Sequence, residues 1–124
     1  MKRRIDIAQL QQLTEEQRQK LREWWQPAEF DLFVFYDDTL ICEETHDNGN
    51  VIYVAETGKY FKSECLPLPD IGVMIELLSD HRFNLTRYGD LLWRFTLDEE
   101  KQFCAKEDTD ELCDLLWEAV KSVL

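Results

Sequence analysis

Three prolines and four glycines among 124 residues are too few to build a flexible linker, and neither an internal repeat nor a low-complexity tract interrupts the chain. Long apolar runs are missing as well. The uninterrupted hydrophobic stretches are a few residues each, far from the roughly 20 that a membrane-spanning helix needs. The basic head Met1-Lys2-Arg3-Arg4 is not followed by the apolar stretch of a signal peptide, so the expected location is the cytoplasm. The four cysteines (Cys42, Cys65, Cys104 and Cys113) lack C-x-x-C spacing and read as free thiols used as small hydrophobes in a reducing compartment. Cys42 and His46 form one C-x3-H pair, which Cys65 or Cys104 could complete only without the second close pair that structural zinc sites use. No metal and no cofactor are expected.

Positive charge is the next shortage. Fourteen Lys and Arg stand against 26 Asp and Glu, a net charge of −12. Because nucleic-acid affinity comes from cations that neutralise phosphates, DNA and RNA are not expected as direct ligands. Anionic membranes are disfavoured for the same reason. A protein partner with a basic surface would be attracted and its encounter accelerated. Acidity that serves solubility alone is the simpler alternative.

Catalytic vocabulary is also thin. There are two histidines. His46 lies in the polar stretch "EETHDNGN", and His81 ends a helix-like run where a cation meets the helix dipole. Ser63, Ser79 and Ser122 are not in glycine-rich elbows, and none of G-x-S-x-G, a phosphate-binding loop or H-E-x-x-H occurs. Carboxylates cluster at Asp37-Asp38, Glu43-Glu44, Asp98-Glu99-Glu100 and Glu107-Asp108-Asp110-Glu111, without the histidines that two-metal sites usually add. Asp37-Asp38 reads as a tight turn. The chain is expected not to be an enzyme.

What is present is a legible series of elements. "IDIAQLQQL", after the basic head, reads as a short helix or as an N-terminal arm covering residues 1–9. "LTEEQRQKLREWW" opens on Thr14 as cap with Gln17 at the capping-box position, and Pro27 ends it. "FDLFVFY" at 30–36, "TLICEE" at 39–44 and "NVIYVAE" at 50–56 are strand-like, the last following the hairpin signal Asn48-Gly49. Thr57-Gly58 turns the chain into an extended "KYFKSECLPL". Asp70 caps a helix near 70–80 with Ile71, Met74, Ile75 and Leu78 in phase, and Gly72 inside it suggests close packing on a sheet. Residues 82–89 and 90–98 alternate and are joined by Gly89-Asp90 as a second hairpin. Asp108 and Glu111 form a box-like start for a terminal helix near 109–123. The order implies one α+β domain over 1–124, with a mostly antiparallel sheet centred on 30–56 and 83–97 and packed by two or three helices including the C-terminal one.

Trp24 and Trp25 stand side by side in "EWWQP". The first long helix has little aliphatic surface, so at least one indole must dock on the sheet. The two positions differ by about 100° around the helix, and the other ring is a candidate aromatic contact. Between Asp98 and Glu118 nine acids face only Lys101 and Lys106. Asp98, Glu99, Glu100, Glu107, Asp108 and Glu111 are therefore the candidate acidic recognition surface.

Three segments, "LTEEQRQKLREWWQP", "CLPLPDIGVMIELL" and "ELCDLLWEAVKSVL", together resemble a family of short uncharacterised proteins from phages and prophages of Firmicutes. Those proteins share a Glu-Trp-Trp-x-Pro helix end and a Leu-Trp-Glu-Ala-Val terminal helix, and where they continue with a Gly-Asp turn this chain has Ala28-Glu29-Phe30-Asp31. The resemblance implies a phage accessory context, with the cytoplasm of a bacterial host as the expected location, and carries no site residues. The leading expectation is a non-enzymatic protein that binds a basic partner, in the manner of a DNA-mimic inhibitor of a host or defence protein. A nucleotide-sequestering protein using Trp24 or Trp25 with Arg82, Arg87 and Arg94 is the alternative, and a small metal-dependent enzyme is a third.

Overall fold

The structure, a computed structural model, describes residues 2–88, 92–98, 101–104 and 112–124. It is an α+β protein in which every strand pairing is antiparallel. Among the described residues the strands form three sheets rather than one, each of three strands. They are shared between two compact units, Asp6–Leu68 and Pro69–Leu124 with Met1–Ile5.

The Asp6–Leu68 unit starts with two short helices that each carry a reciprocal capping box. In α1 (Ile7–Leu10) Asp6 and Gln9 exchange side-chain-to-backbone bonds. In α2 (Glu15–Trp24) Thr14 and Gln17 do the same. Each box satisfies two amides that the first turn of a helix leaves unpaired. Strands β1 (Leu32–Phe35) and β2 (Asp38–Ile41) form a hairpin, and β6 (Leu66–Pro67) pairs on the far side of β1. β3 (Glu44–His46), β4 (Val51–Val54) and β5 (Gly58–Phe61) form the second sheet.

The two sheets are split by one change of partner. Cys42 N–H still donates to Asp31 C=O on the β1 side, whereas the next amide, Glu43 N–H, donates to Tyr53 C=O on the β4 side. Successive amides of a strand point in opposite directions, so a continuous run over 38–46 serves two neighbours in turn. The Asn48-Gly49 signal does mark a turn, but a wider one than two residues. His46 pairs with Val51, and Asp47, Asn48 and Gly49 all take left-handed conformations between them.

The core of this unit takes in one of the two adjacent tryptophans. Trp25 is 3% exposed and packs with Phe33, Cys42, Ile52 and Cys65. Its Nε1 donates to Asp31 Oδ2 at 3.2 Å, so the polar end of the indole is also satisfied. Trp24 lies at the margin of the same cluster, half-buried.

In the other unit β7 (Phe83–Tyr88), β8 (Leu92–Leu97) and β9 (Lys101–Cys104) form the third sheet, with α4 (Leu112–Val123) packed on it and α3 (Ile71–Leu78) beside α4. Strands 30–56, expected from the sequence to share one sheet with 83–97, belong instead to the sheets of the Asp6–Leu68 unit. β9 was not expected from the sequence. The hairpin at 82–98 is present with Tyr88 opposite Leu92, while the Gly89-Asp90 turn lies outside the described residues. Trp117 is fully buried in α4 and Trp93 is half-buried. Residues 2–5 are tied to this unit by an Arg4–Asp70 bridge and by burial of Ile5. Asp70 caps α3 as the sequence implies, accepting from Val73 N–H at 2.8 Å. Gly72, however, is exposed, and among the described residues an added Cβ would meet nothing nearer than Asp70 Oδ1 at 3.5 Å. Packing does not require the glycine.

Candidate functional site: the outer edge of the first hairpin

The β1–β2 hairpin closes with Phe35 opposite Asp38, leaving Tyr36 and Asp37 as its two loop residues. Tyr36 takes φ 54°, a left-handed conformation that favours glycine and is costly for a bulky side chain. Such strain costs about 1–3 kcal/mol and concentrates at functional positions. Tyr36 is also 83% exposed, its ring edge-on to Phe35 at a centroid distance of 4.6 Å. At the opposite end of β1, Phe30 repeats the combination with φ 72° and 73% exposure. Ile41 on β2 is 52% exposed. Apolar rings and a branched chain are thus held in water along one hairpin, two of them on strained backbone.

The surroundings are acidic. From Ala28 to His46 the chain carries Glu29, Asp31, Asp37, Asp38, Glu43 and Glu44 and no lysine or arginine. Asp31 is spent on the fold, accepting from Trp25 Nε1 and from Ala28 N–H. Glu43 accepts the Ala55 amide, and Glu44 lies 3.6 Å from His46 Nε2. Asp37 and Asp38 are exposed at the hairpin tip beside Tyr36.

Behind the hairpin, a groove of about 310 Å³ opens between α1, α2 and the sheet. Ile7, Leu10, Val34 and Leu66 make its apolar wall, and Arg18, Arg22, Glu64 and Tyr36 its polar rim. The guanidinium groups are largely committed to the fold. Arg18 bonds Glu15 at 2.8 Å and the Gln11 carbonyl at 3.3 Å. Arg22 bonds the Cys65 carbonyl at 3.0 Å and Gln19 at 2.6 Å.

The residues singled out from sequence are described only in part. Asp98 is the described member of the acidic set and acts as a staple: its carboxylate accepts from His81 Nδ1 at 3.0 Å and from Arg82 N–H at 3.1 Å. The bond from His81 holds its carboxyl below the usual range. Glu99, Glu100, Glu107, Asp108 and Glu111 lie outside the described residues. Trp25, one of the two candidate aromatic contacts, is a core side chain instead, because Leu21 one turn earlier is fully buried and directs that face inward. Trp24 and Trp25 belong to one unit, and Arg82 and Arg94 to the other. Tyr36 gave no usable signal in sequence: a two-residue turn without glycine, at the end of an aromatic run, reads as strand.

Cys42 and Cys65 are both buried in the core around Trp25. Burial pushes the Cys65 thiol up to about 12, with Glu64 adding and Arg22 opposing, and burial followed by Asp31 raises Cys42. Among the described residues no group of three or more His, Cys, Asp or Glu side chains is placed to hold a metal ion, and no helix is long and apolar enough to cross a membrane. No protein-family model, curated protein or solved structure matches the chain.

Proposed function

We propose that the protein is a non-enzymatic accessory protein of phage type that works by binding a partner protein with a basic surface, as a DNA-mimic-like inhibitor of a host or defence nucleic-acid-binding protein would. The observation that carries this reading is Tyr36, an aromatic ring 83% exposed on a left-handed backbone and followed directly by Asp37 and Asp38. Exposed tyrosines are over-represented among the side chains that dominate binding energy. Rim acids speed the approach of a cationic partner. A second reading, an anionic small ligand in the groove behind the hairpin, draws on Arg18, Arg22 and Tyr36 at its rim. It ranks lower because those guanidinium groups already serve Glu15, Gln11, Gln19 and Cys65.

Proteins retained from a bacterial lysate by the wild-type chain should be lost by a Tyr36→Ser, Asp37→Asn, Asp38→Asn variant. For a purified partner, Tyr36→Ser alone should weaken Kd by about thirtyfold, the scale of a hot-spot side chain. The two Asn changes should slow association and flatten its salt dependence between about 0.1 M and 1 M salt, where the Debye length falls from about 10 to about 3 Å. Displacement of the partner by duplex DNA would identify it as a nucleic-acid-binding protein. Identical capture and identical on-rates for the variant would refute the reading, and a thermal shift with nucleotides that Arg22→Gln abolishes would favour the groove.

A further inference from the structure

The side of β2 that faces away from β1 is an open strand edge. The Cys42-to-Asp31 bond sets the phase of the hairpin: Asp38, Leu40 and Cys42 direct their backbone groups at β1, and Thr39 and Ile41 direct theirs outward. Further along the same strand the outward side is filled by β4, beginning with the Glu43-to-Tyr53 bond. β4 ends at Val54, where the chain turns and Glu43 captures the Ala55 amide. Beside Thr39 and Ile41, therefore, the line of β4 stops, and among the described residues nothing takes their backbone N–H and C=O groups. Natural edges of this kind are usually blunted by lysine, proline or a bulge. Residues 38–41 read Asp-Thr-Leu-Ile and pair in unbroken register.

From this geometry we infer that β2 accepts an extended, lysine- or arginine-bearing segment of a partner as an added strand, continuing the line of β4. The inference rests on the partner-binding reading and specifies its mode. An incoming strand completes the bonds of Thr39 and Ile41 through its main chain. Its alternate side chains then fall into two rows: one packs on the exposed Ile41, and the other lies on the side of Asp38. The charge of the occupant follows from the six acids and absent cations between Ala28 and His46. The same acids repel a second copy of this edge, so pairing of like with like is disfavoured.

The test uses the whole protein and an eight-residue peptide of alternating valine and lysine. Two counterparts accompany it, one N-methylated throughout and one with glutamate for lysine. With the lysine peptide at about ten times its Kd, solvent exchange of the Thr39 and Ile41 amides should slow about tenfold, because only the free fraction exchanges. The Leu40 amide, already bonded to β1, should change little. Neither counterpart should protect Thr39 and Ile41. If the lysine peptide shifts the resonances of Tyr36, Asp37 and Asp38 without slowing Thr39 and Ile41, or binds equally well when N-methylated, strand addition is overturned while acidic partner contact survives. Equal protection by the glutamate peptide overturns the cationic occupant. Absence of any binding by the lysine peptide overturns the inference outright, and capture of a partner in the lysate experiment then judges the partner-binding reading separately.

Discussion

A buried thiol and an exposed one differ in chemistry as much as in location. Only the thiolate attacks an electrophile, and Cys65, raised to about 12 by burial, stays protonated at neutral pH. Cys104 is exposed on β9. A maleimide should modify Cys104 in the native protein, and Cys42, Cys65 and Cys113 only after denaturation, as mass spectrometry of labelled peptides would show. Because the folded pKa of Cys65 lies above its ordinary value of 9.0, its contribution is intact below pH 9 and is lost as pH rises toward 12. Asp98 has the opposite sign. Its folded pKa is depressed, chiefly by the bond from His81, so its contribution is present above the ordinary carboxylate value of 3.8 and lost as pH falls through the folded one. Asp98→Asn keeps a side chain that tolerates the φ of 53° at this position. The variant should therefore be less stable than wild type near neutral pH and match it in acid, as thermal melts at the two pH values would show.

Caps and turns carry the legible part of each element. Thr14 with Gln17, and Asp70 before α3, perform the roles their spacing implies, and Asp6 with Gln9 obeys the same rule although the segment reads ambiguously as an arm. Capping is decided within four residues, so sequence suffices for it. Gly72 shows the limit of such reasoning. Whether a helical glycine answers to close packing depends on what lies opposite, and here nothing within 3.5 Å does. Gly72→Ala should stabilise the protein by about 0.5–1 kcal/mol, since alanine loses less backbone freedom on folding and is the better helix former. Chemical denaturation would measure this, and a loss of stability would mean that α3 meets a neighbour at that position.

Over the whole molecule, a net charge of −12 is a standing repulsion that salt relieves. Raising salt from about 0.01 M to 0.15 M shortens the Debye length from about 30 Å to about 8 Å and should raise the melting temperature, measured by calorimetry. A fall would mean that attractive pairs such as Lys2–Asp114, 2.7 Å apart, outweigh the repulsion. Under the proposed partner-binding reading, the same charge would draw a cationic segment toward Tyr36 and the edge of β2 and turn an anionic one away.

The sequence by itself determined the α+β class, the antiparallel pairing, the starts of α2 and α3 and the acidity, all of which rest on composition or on neighbours a few residues apart. Only the tertiary structure decided which tryptophan is buried, where the two sheets of the Asp6–Leu68 unit part, and that Tyr36 turns outward on strained backbone. Each of these depends on long-range partners. Trp25 is placed by a cluster running from Phe33 to Cys65, and the run over 38–46 changes neighbours because β4 ends at Val54. A strand's own residues specify which way its amides point, but what stands on either side of it is set by the rest of the chain.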